Sequence, residues 1–301
     1  MHPCFLLHTD TPFRLFEESL SLDSPLLQCG LPNSPLCVVY AIWSSYRNTP
    51  AENLALFLKT RTHLLDTLSK ASLPSFFSCI LGIEDASLLE GDLSRLAYFK
   101  NLGVRILTPL WQGDSALGGA WDTENGLSPY GKAVIAECLR LGILPDVSHA
   151  STRSAYDILA LCQANGVPLF ASHSNARAVC QHRRNLKDSL LREIIASHGL
   201  VGLCFAPSHL TTRGVATLDD VLRHAEHILS LGGERSLALG SDFDGIDSTP
   251  QGLESIDALP RLAEAFSRIG YSDTLIRNVF FENASHFFKS LWKAPYFFFE
   301  K

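Results

Sequence analysis

The 301-residue chain has no block of lysine and arginine, and its 25 basic against 31 acidic side chains leave a formal net charge of −6. Nucleic-acid phosphates are held by clustered Lys and Arg, so nucleic acid is not an expected partner. None of the eight cysteines (Cys4, Cys29, Cys37, Cys79, Cys138, Cys162, Cys180, Cys204) belongs to a Cys-x-x-Cys pair, which removes a zinc ribbon and a thioredoxin-like site. Several fall inside apolar runs such as CVVYAIW, FFSCILGIE and LVGLCFA. There they read as small buried hydrophobes of a reducing compartment, not as a disulfide framework. No apolar stretch reaches membrane-spanning length, so no membrane partner is expected. The start, MHPCFLLHTD, has neither a charged leader region nor a cleavage site, and a cytoplasmic protein is the expectation. No Gly-x-Gly-x-x-Gly follows a first strand, which counts against an open dinucleotide-binding sheet.

What the chain does have is a series of eight apolar runs: CFLLHTD, CVVYAIW, FFSCILGIE, VRILTPLW, ILPDVSH, PLFASHS, LVGLCFA and SLALGSD. They are continuous, not alternating, as parallel strands covered on both faces should be. Segments with helical spacing separate them, and Gly142, Gly166 and Gly232 stand where three of those helices should end. Eight such repeats without a linker predict an α/β fold: one (β/α)8 barrel domain over residues 1–301, with its active site at the C-terminal ends of the strands. Pro109 and Pro145 fall in the fourth and fifth strands, where a closed barrel has no free edge. Pro109 is placed past the paired part of its strand, and Pro145 at a bulge. The Gly-rich stretch 111–127 is expected to loop over the barrel mouth. The aromatic tail HFFKSLWKAPYFFFEK reads as a barrel cap or subunit contact.

Five runs end on, or within a residue of, a metal-ligand side chain. His8 and Asp10 are one residue apart and so share a strand face. Glu84 ends the third run, His149 the fifth, His173 the sixth and Asp242 the eighth. Each has an ordinary alternative. Glu84 and Asp242 are followed by further acids and could face solvent, and a single buried histidine is often only a hydrogen-bonded core residue. Together the six suit two divalent ions of zinc type with oxygen and nitrogen ligands. Two such ions activate a water lying between them and polarise a carbonyl, which implies hydrolysis. His182, Arg183, Arg184 and Asn185 follow the sixth strand, either as a solvated turn or as a fork for a substrate carboxylate. His63, His198, His209, His224 and His227 have no assigned role, and the last two are expected at the surface or behind the site.

The motifs HTD, GIED, DVSHAS, ASHSNARAV, HRRN and GSDFDG resemble the membrane (renal) dipeptidase family of metallopeptidases in the amidohydrolase superfamily, in its short bacterial form. The resemblance runs from His8 to about Asn283. It implies a barrel with two zinc ions: His8, Asp10 and Asp242 at one, His149 and His173 at the other, Glu84 bridging. It further implies that Arg184, with Asn185, holds the carboxylate of a small dipeptide, and that Asp242 handles the proton of the attacking water. A C-terminal D-residue should be tolerated, and a homodimer is compatible. One departure stands out. Where the family usually has a histidine contacting the substrate carbonyl oxygen, this chain has Trp111, whose indole could replace that donor or serve only as an apolar wall. The alternatives are an amidohydrolase for another small amide, such as an N-acyl amino acid, and a barrel kept only for binding. The survival of all six ligands speaks against the second.

Overall fold

The computed structural model describes residues 3–31, 35–45, 47–74, 76–89, 91–293 and 297–300. Met1 and His2 of the N-terminal stretch, and Ala294, Pro295, Tyr296 and Lys301 of the aromatic tail, lie outside the described residues. The eight apolar runs form eight strands: β1 Cys4–Thr9, β2 Leu36–Trp43, β3 Phe77–Glu84, β4 Val104–Thr108, β5 Leu144–Pro145, β6 Phe170–Ala171, β7 Leu200–Cys204 and β8 Leu237–Phe243. All are parallel, in the order β5-β4-β3-β2-β1-β8-β7-β6, so the sheet is a (β/α)8 barrel closed everywhere except between β5 and β6. A ninth strand, β9 Phe299–Glu300, runs antiparallel to the start of β3.

The helices follow the strands where the spacing placed them. Pro50–Lys70 begins with Thr49 and Glu52 in a capping box, which satisfies two of the donors left over at a helix start. Pro129–Leu141 ends on Gly142 at φ 70°, a left-handed conformation that glycine adopts without steric cost. No helix among the described residues is long and apolar enough to cross a membrane. All eight cysteines are buried, and none is in a disulfide among the described residues.

The interior has two levels. Phe5, Leu7, Val39, Ile80, Ile106, Phe170 and Leu200 fill the lower barrel, and Phe287 and Phe288 of helix Asn283–Leu291 plug it from below. Phe288 stands 5.3 Å from Phe5 and 5.9 Å from Phe170, ring centre to ring centre. The tail is thus a cap, as expected. Its strand β9 pairs with Ser78 and Cys79, beside β3 residues that β4, which starts pairing at Leu81, does not reach.

The two prolines are accommodated differently. Pro109 lies just past β4. Pro145 marks no bulge, because its pairing with Leu107 is regular. The Asp146 N–H faces β4 and donates to the Leu107 carbonyl, so Pro145 turns its missing N–H toward the unladdered seam. There Val147 donates to the Phe170 carbonyl, and the Asp146 carboxylate completes the join. It accepts from Thr108 Oγ, Ser148 N, and both N and Oγ of Ser172.

Candidate metal centre

Above the apolar plug, the interior positions change character. Along β3 the inward residues are Ile80, Gly82 and Glu84, a plain period of two. Strand β1 needs an irregularity to do the same. Phe5 and Leu7 point inward, and unbroken alternation would then turn His8 outward. Between Leu6↔Val38 and Thr9↔Tyr40 the register slips, with two residues of β1, Leu7 and His8, set against one of β2, Val39. The bulge reverses the parity, and His8 and Asp10 both enter the barrel. At β8 the chain turns through two left-handed residues, Ser241 (φ 63°) and Asp242 (φ 71°), and Ser241 Oγ donates to the His8 carbonyl at 2.7 Å. His149 is also left-handed at φ 67°. Such conformations cost about 1–3 kcal/mol each and cluster at functional sites. Gly245 makes room: a Cβ there would lie 2.1 Å from Asp10 Oδ2 and 3.1 Å from Asp242 Oδ1.

The six expected ligands converge. His8 Nε2 lies 3.3 Å from Asp10 Oδ2, 3.7 Å from Glu84 Oε1 and 3.9 Å from Asp242 Oδ1. His149 Nε2 and His173 Nε2 lie 3.1 and 3.6 Å from that same Glu84 oxygen, and 2.9 Å from each other. Glu84 Oε1 therefore belongs to two sets of donors. The compact groups are His8/Asp10/Glu84, Glu84/His149/His173 and His8/His173/Asp242.

The hydrogen bonds behind the ligands fix the imidazole tautomers. His149 Nδ1 is 3.0 Å from the Trp111 carbonyl, which can only accept, so this nitrogen carries the proton. Ser172 Oγ gives its hydrogen to Asp146 and accepts from His173 Nδ1 at 2.7 Å. Both Nε2 atoms therefore direct lone pairs at one another and at a carboxylate oxygen, with no hydrogen between them. Burial lowers both pKa values well below the usual range, and the positive Arg184 and His8 lower them further, so both rings are neutral. Asp10 Oδ1 and Glu84 Oε1 are buried with no hydrogen-bond partner among the described residues. Facing lone pairs and orphaned carboxylate oxygens are costly unless a cation lies among them, and this donor set suits divalent zinc. His8 behaves accordingly. Burial pushes its pKa down, but Glu84, Asp10 and Asp242 more than reverse this and raise it to about 10. Burial and the Asp10 carboxylate raise Asp242 to about 6 against the pull of His8 and Arg184.

Arg184 approaches the cluster from the loop after β6, but neither it nor Asn185 lines the cavity over the donors, and both border a small separate hollow beside Ala150 and Leu186. Arg184 is 4% exposed, its Nη2 donates to the His173 carbonyl at 3.4 Å, and its Nε has no hydrogen-bond partner among the described residues. No carboxylate pairs with this buried guanidinium among the described residues. Asn185 spends its amide N–H groups on the carbonyls of Cys180 and His209 and so shapes the loop. Trp111 lies half-buried at the cavity wall, its ring 5.1 Å from Trp43 and 6.1 Å from His149. The HRRN turn is mostly not solvated: only Arg183 is outside, bound to the carbonyls of Asp122 and Thr123 and to Glu124, which ties down the stretch 111–127.

Of its two expected places His224 takes the one behind the site: it is fully buried, and its ring accepts from Ala176 N and donates to the Leu210 carbonyl, joining two site loops. His227 pairs with Asp188 at 2.8 Å. Asp244, one of the acids that follow Asp242, is buried and accepts from Thr11 Oγ, Gln28 N, Cys29 N and Arg14. Cys204, read as core, shares the inward parity of Leu200 and Gly202. Its Sγ lies 3.4 Å from Asp242 Oδ2 and 3.5 Å from His209 Nδ1. That parity was the available signal. For Asp146 and Ser172 there was none, since their importance comes from a seam that only the closed barrel reveals.

A family profile described as "Membrane dipeptidase (Peptidase family M19)" matches residues 58–293. An uncharacterized dipeptidase of Schizosaccharomyces pombe is 32% identical over 248 residues, covering 79% of this chain and 60% of that protein. A dipeptidase of Aspergillus oryzae is 34% identical over 205 residues, 66% of this chain and 48% of its own length. The chain thus spans about half to three fifths of these curated relatives. Among solved structures, a metallopeptidase from Rhodobacter sphaeroides, liganded with a phosphinate mimic of the dipeptide L-Ala-D-Ala, is similar with a TM-score of 0.88 at 28% identity. The match covers 97% of this chain and 99% of that one.

Proposed function

The chain belongs to the membrane dipeptidase family, peptidase family M19, and from that premise we propose that it is a dipeptidase working at a binuclear zinc centre. The observation that carries this reading is the shared Glu84 oxygen between two donor sets, with a buried guanidinium beside them that meets no carboxylate among the described residues. His8, Asp10 and Asp242 would hold one ion, His149 and His173 the other, and Glu84 both. When bound, divalent zinc lowers the pKa of water and polarises a carbonyl. Arg184 receives the C-terminal carboxylate of the dipeptide and sets the scissile bond over the cluster. Asp242 takes the proton of the attacking water and delivers it to the departing amine. Ser172, Asp146 and the Trp111 carbonyl hold the histidine rings in the required tautomer. One domain over residues 1–301 is sufficient, since ligands from both ends of the chain meet.

A carboxylate grip at Arg184 constrains one end of the substrate and not the stereochemistry of the residue bearing it. Tolerance of a C-terminal D-residue is therefore part of the proposal, supported by the L-Ala-D-Ala mimic in the Rhodobacter sphaeroides relative. The test is hydrolysis by zinc-loaded protein of L-Ala-L-Ala, L-Ala-D-Ala, their C-terminal amides and N-acetyl-alanine. Both dipeptides should be cleaved, and the amides should lose about 10- to 100-fold in kcat/KM, the scale of one charge-assisted interaction. Faster cleavage of N-acetyl-alanine than of either dipeptide would instead favour an N-acyl amino acid hydrolase.

A further inference from the structure

The cavity over the cluster has a volume of about 610 Å³. This falls within the roughly 300–1,000 Å³ of sites that enclose sizeable ligands. One side of it is an aromatic wall. Phe13, from the helix after β1, meets Trp43, at the end of β2, edge to face at 5.8 Å and 86°. Trp43 in turn meets Trp111, from the loop after β4, at 5.1 Å and 60°. All three rings are half-buried and line the cavity. The wall contains no charged side chain, whereas Asp247 stands on another part of the rim.

The order of strands around the barrel gives this wall a direction. Arg184 follows β6, the strand diametrically opposite β2 in a ring of eight, and the donor cluster lies between. A dipeptide with its carboxylate on Arg184 and its scissile carbonyl over the cluster has only its N-terminal residue left on the β1–β4 side. We infer that Phe13, Trp43 and Trp111 form the site for the N-terminal side chain, and that the enzyme selects dipeptides whose N-terminal residue is large and apolar or aromatic. The inference rests on the dipeptidase reading and on the placement of the carboxylate at Arg184. Its physical basis is burial of an apolar side chain against rings that pair edge to face. A small or charged N-terminal residue leaves those rings uncovered or forfeits its own hydration.

The test measures kcat/KM of the zinc-loaded protein for X-Ala dipeptides, with X being Gly, Glu, Lys, Leu and Phe, and for the reversed Ala-X series. Phe-Ala and Leu-Ala should exceed Gly-Ala and Glu-Ala by about 10- to 100-fold, the reach of a hydrophobic pocket. The Ala-X series should show a smaller spread. Trp111→Ala should narrow the Phe-Ala to Gly-Ala ratio at least several-fold, and Phe13→Ala, altering the far end of the wall, should do the same. Cleavage of all X-Ala substrates at similar kcat/KM overturns the inference and leaves the dipeptidase reading standing. So does a preference for Lys-Ala, which would place the N-terminal side chain at Asp247, or a larger spread in the Ala-X series. Failure to cleave any dipeptide overturns both.

Discussion

The lower and upper barrel interiors are built from the same strands and differ in what burial leaves over. In the lower half Phe5, Ile80, Ile106 and Phe170 pack against Phe287 and Phe288, and apolar surface removed from water stabilises the fold directly. A few residues further along those strands stand His8, Glu84, Thr108 and Ser172. Among the described residues, burial there leaves the oxygens Asp10 Oδ1 and Glu84 Oε1 without hydrogen bonds and the Arg184 guanidinium without a carboxylate. One half holds the fold together. The other keeps unbalanced charge that two cations and a substrate carboxylate are suited to balance. The two are separable because the barrel alternates its residues in layers and because helix Asn283–Leu291 closes only the lower end.

Substitutions can sharpen or break this division. The largest effect belongs to the plug. Phe288→Ala should cost about 3–5 kcal/mol of unfolding free energy, read by denaturant melts. Zinc content and turnover per folded chain should not change; loss of zinc would mean that the halves are coupled. Asp242→Asn comes next, with kcat down at least ~10²-fold, about 2.7 kcal/mol on the barrier, as for a lost general acid–base group. Its thermal stability should not fall, and near-normal turnover would put the proton elsewhere. Arg184→Lys keeps the charge but loses the planar fork, so KM should rise about 10-fold with a smaller change in kcat. A kcat effect alone would remove Arg184 from substrate binding. The smallest change is expected for Trp111→Phe, which keeps a ring in the wall: about twofold in kcat/KM. A loss of ~10² or more, with zinc content intact, would show that the indole N–H contacts the carbonyl oxygen instead.

Much of this was legible in the sequence because buried parallel strands leave continuous apolar runs, and a polar side chain closing such a run is conspicuous. All eight strands, the helix ends at Gly142, Gly166 and Gly232, and the six converging ligands could be found that way. The site was less legible where closure of the barrel decides the outcome. Strand parity at His8 depends on a bulge against β2 that leaves no mark in HTD. The stitching of β5 to β6 by Asp146 and Ser172 replaces a ladder that the sequence gives no reason to think missing. His224 sits on an amphipathic helix and shows its buried role only once two loops pack on it. Nothing in the sequence singles out Phe13 and Trp43, whose rings line the cavity only in the closed barrel.

The central claim is that the upper barrel is a binuclear metal centre bridged by Glu84. The most direct test is a zinc titration of metal-free protein that follows bound metal, released protons and dipeptide hydrolysis together. With its pKa raised to about 10, His8 holds a proton at neutral pH. Zinc must displace that proton, so affinity should climb as pH rises toward 10. The account predicts saturation at about two ions per chain, release of at least about one proton at pH 7, and activity reaching its plateau with the second ion. In Glu84→Gln both binding events should weaken together. Full dipeptidase activity with no bound metal, or a Glu84→Gln variant that still takes up two ions with native affinity, would contradict it.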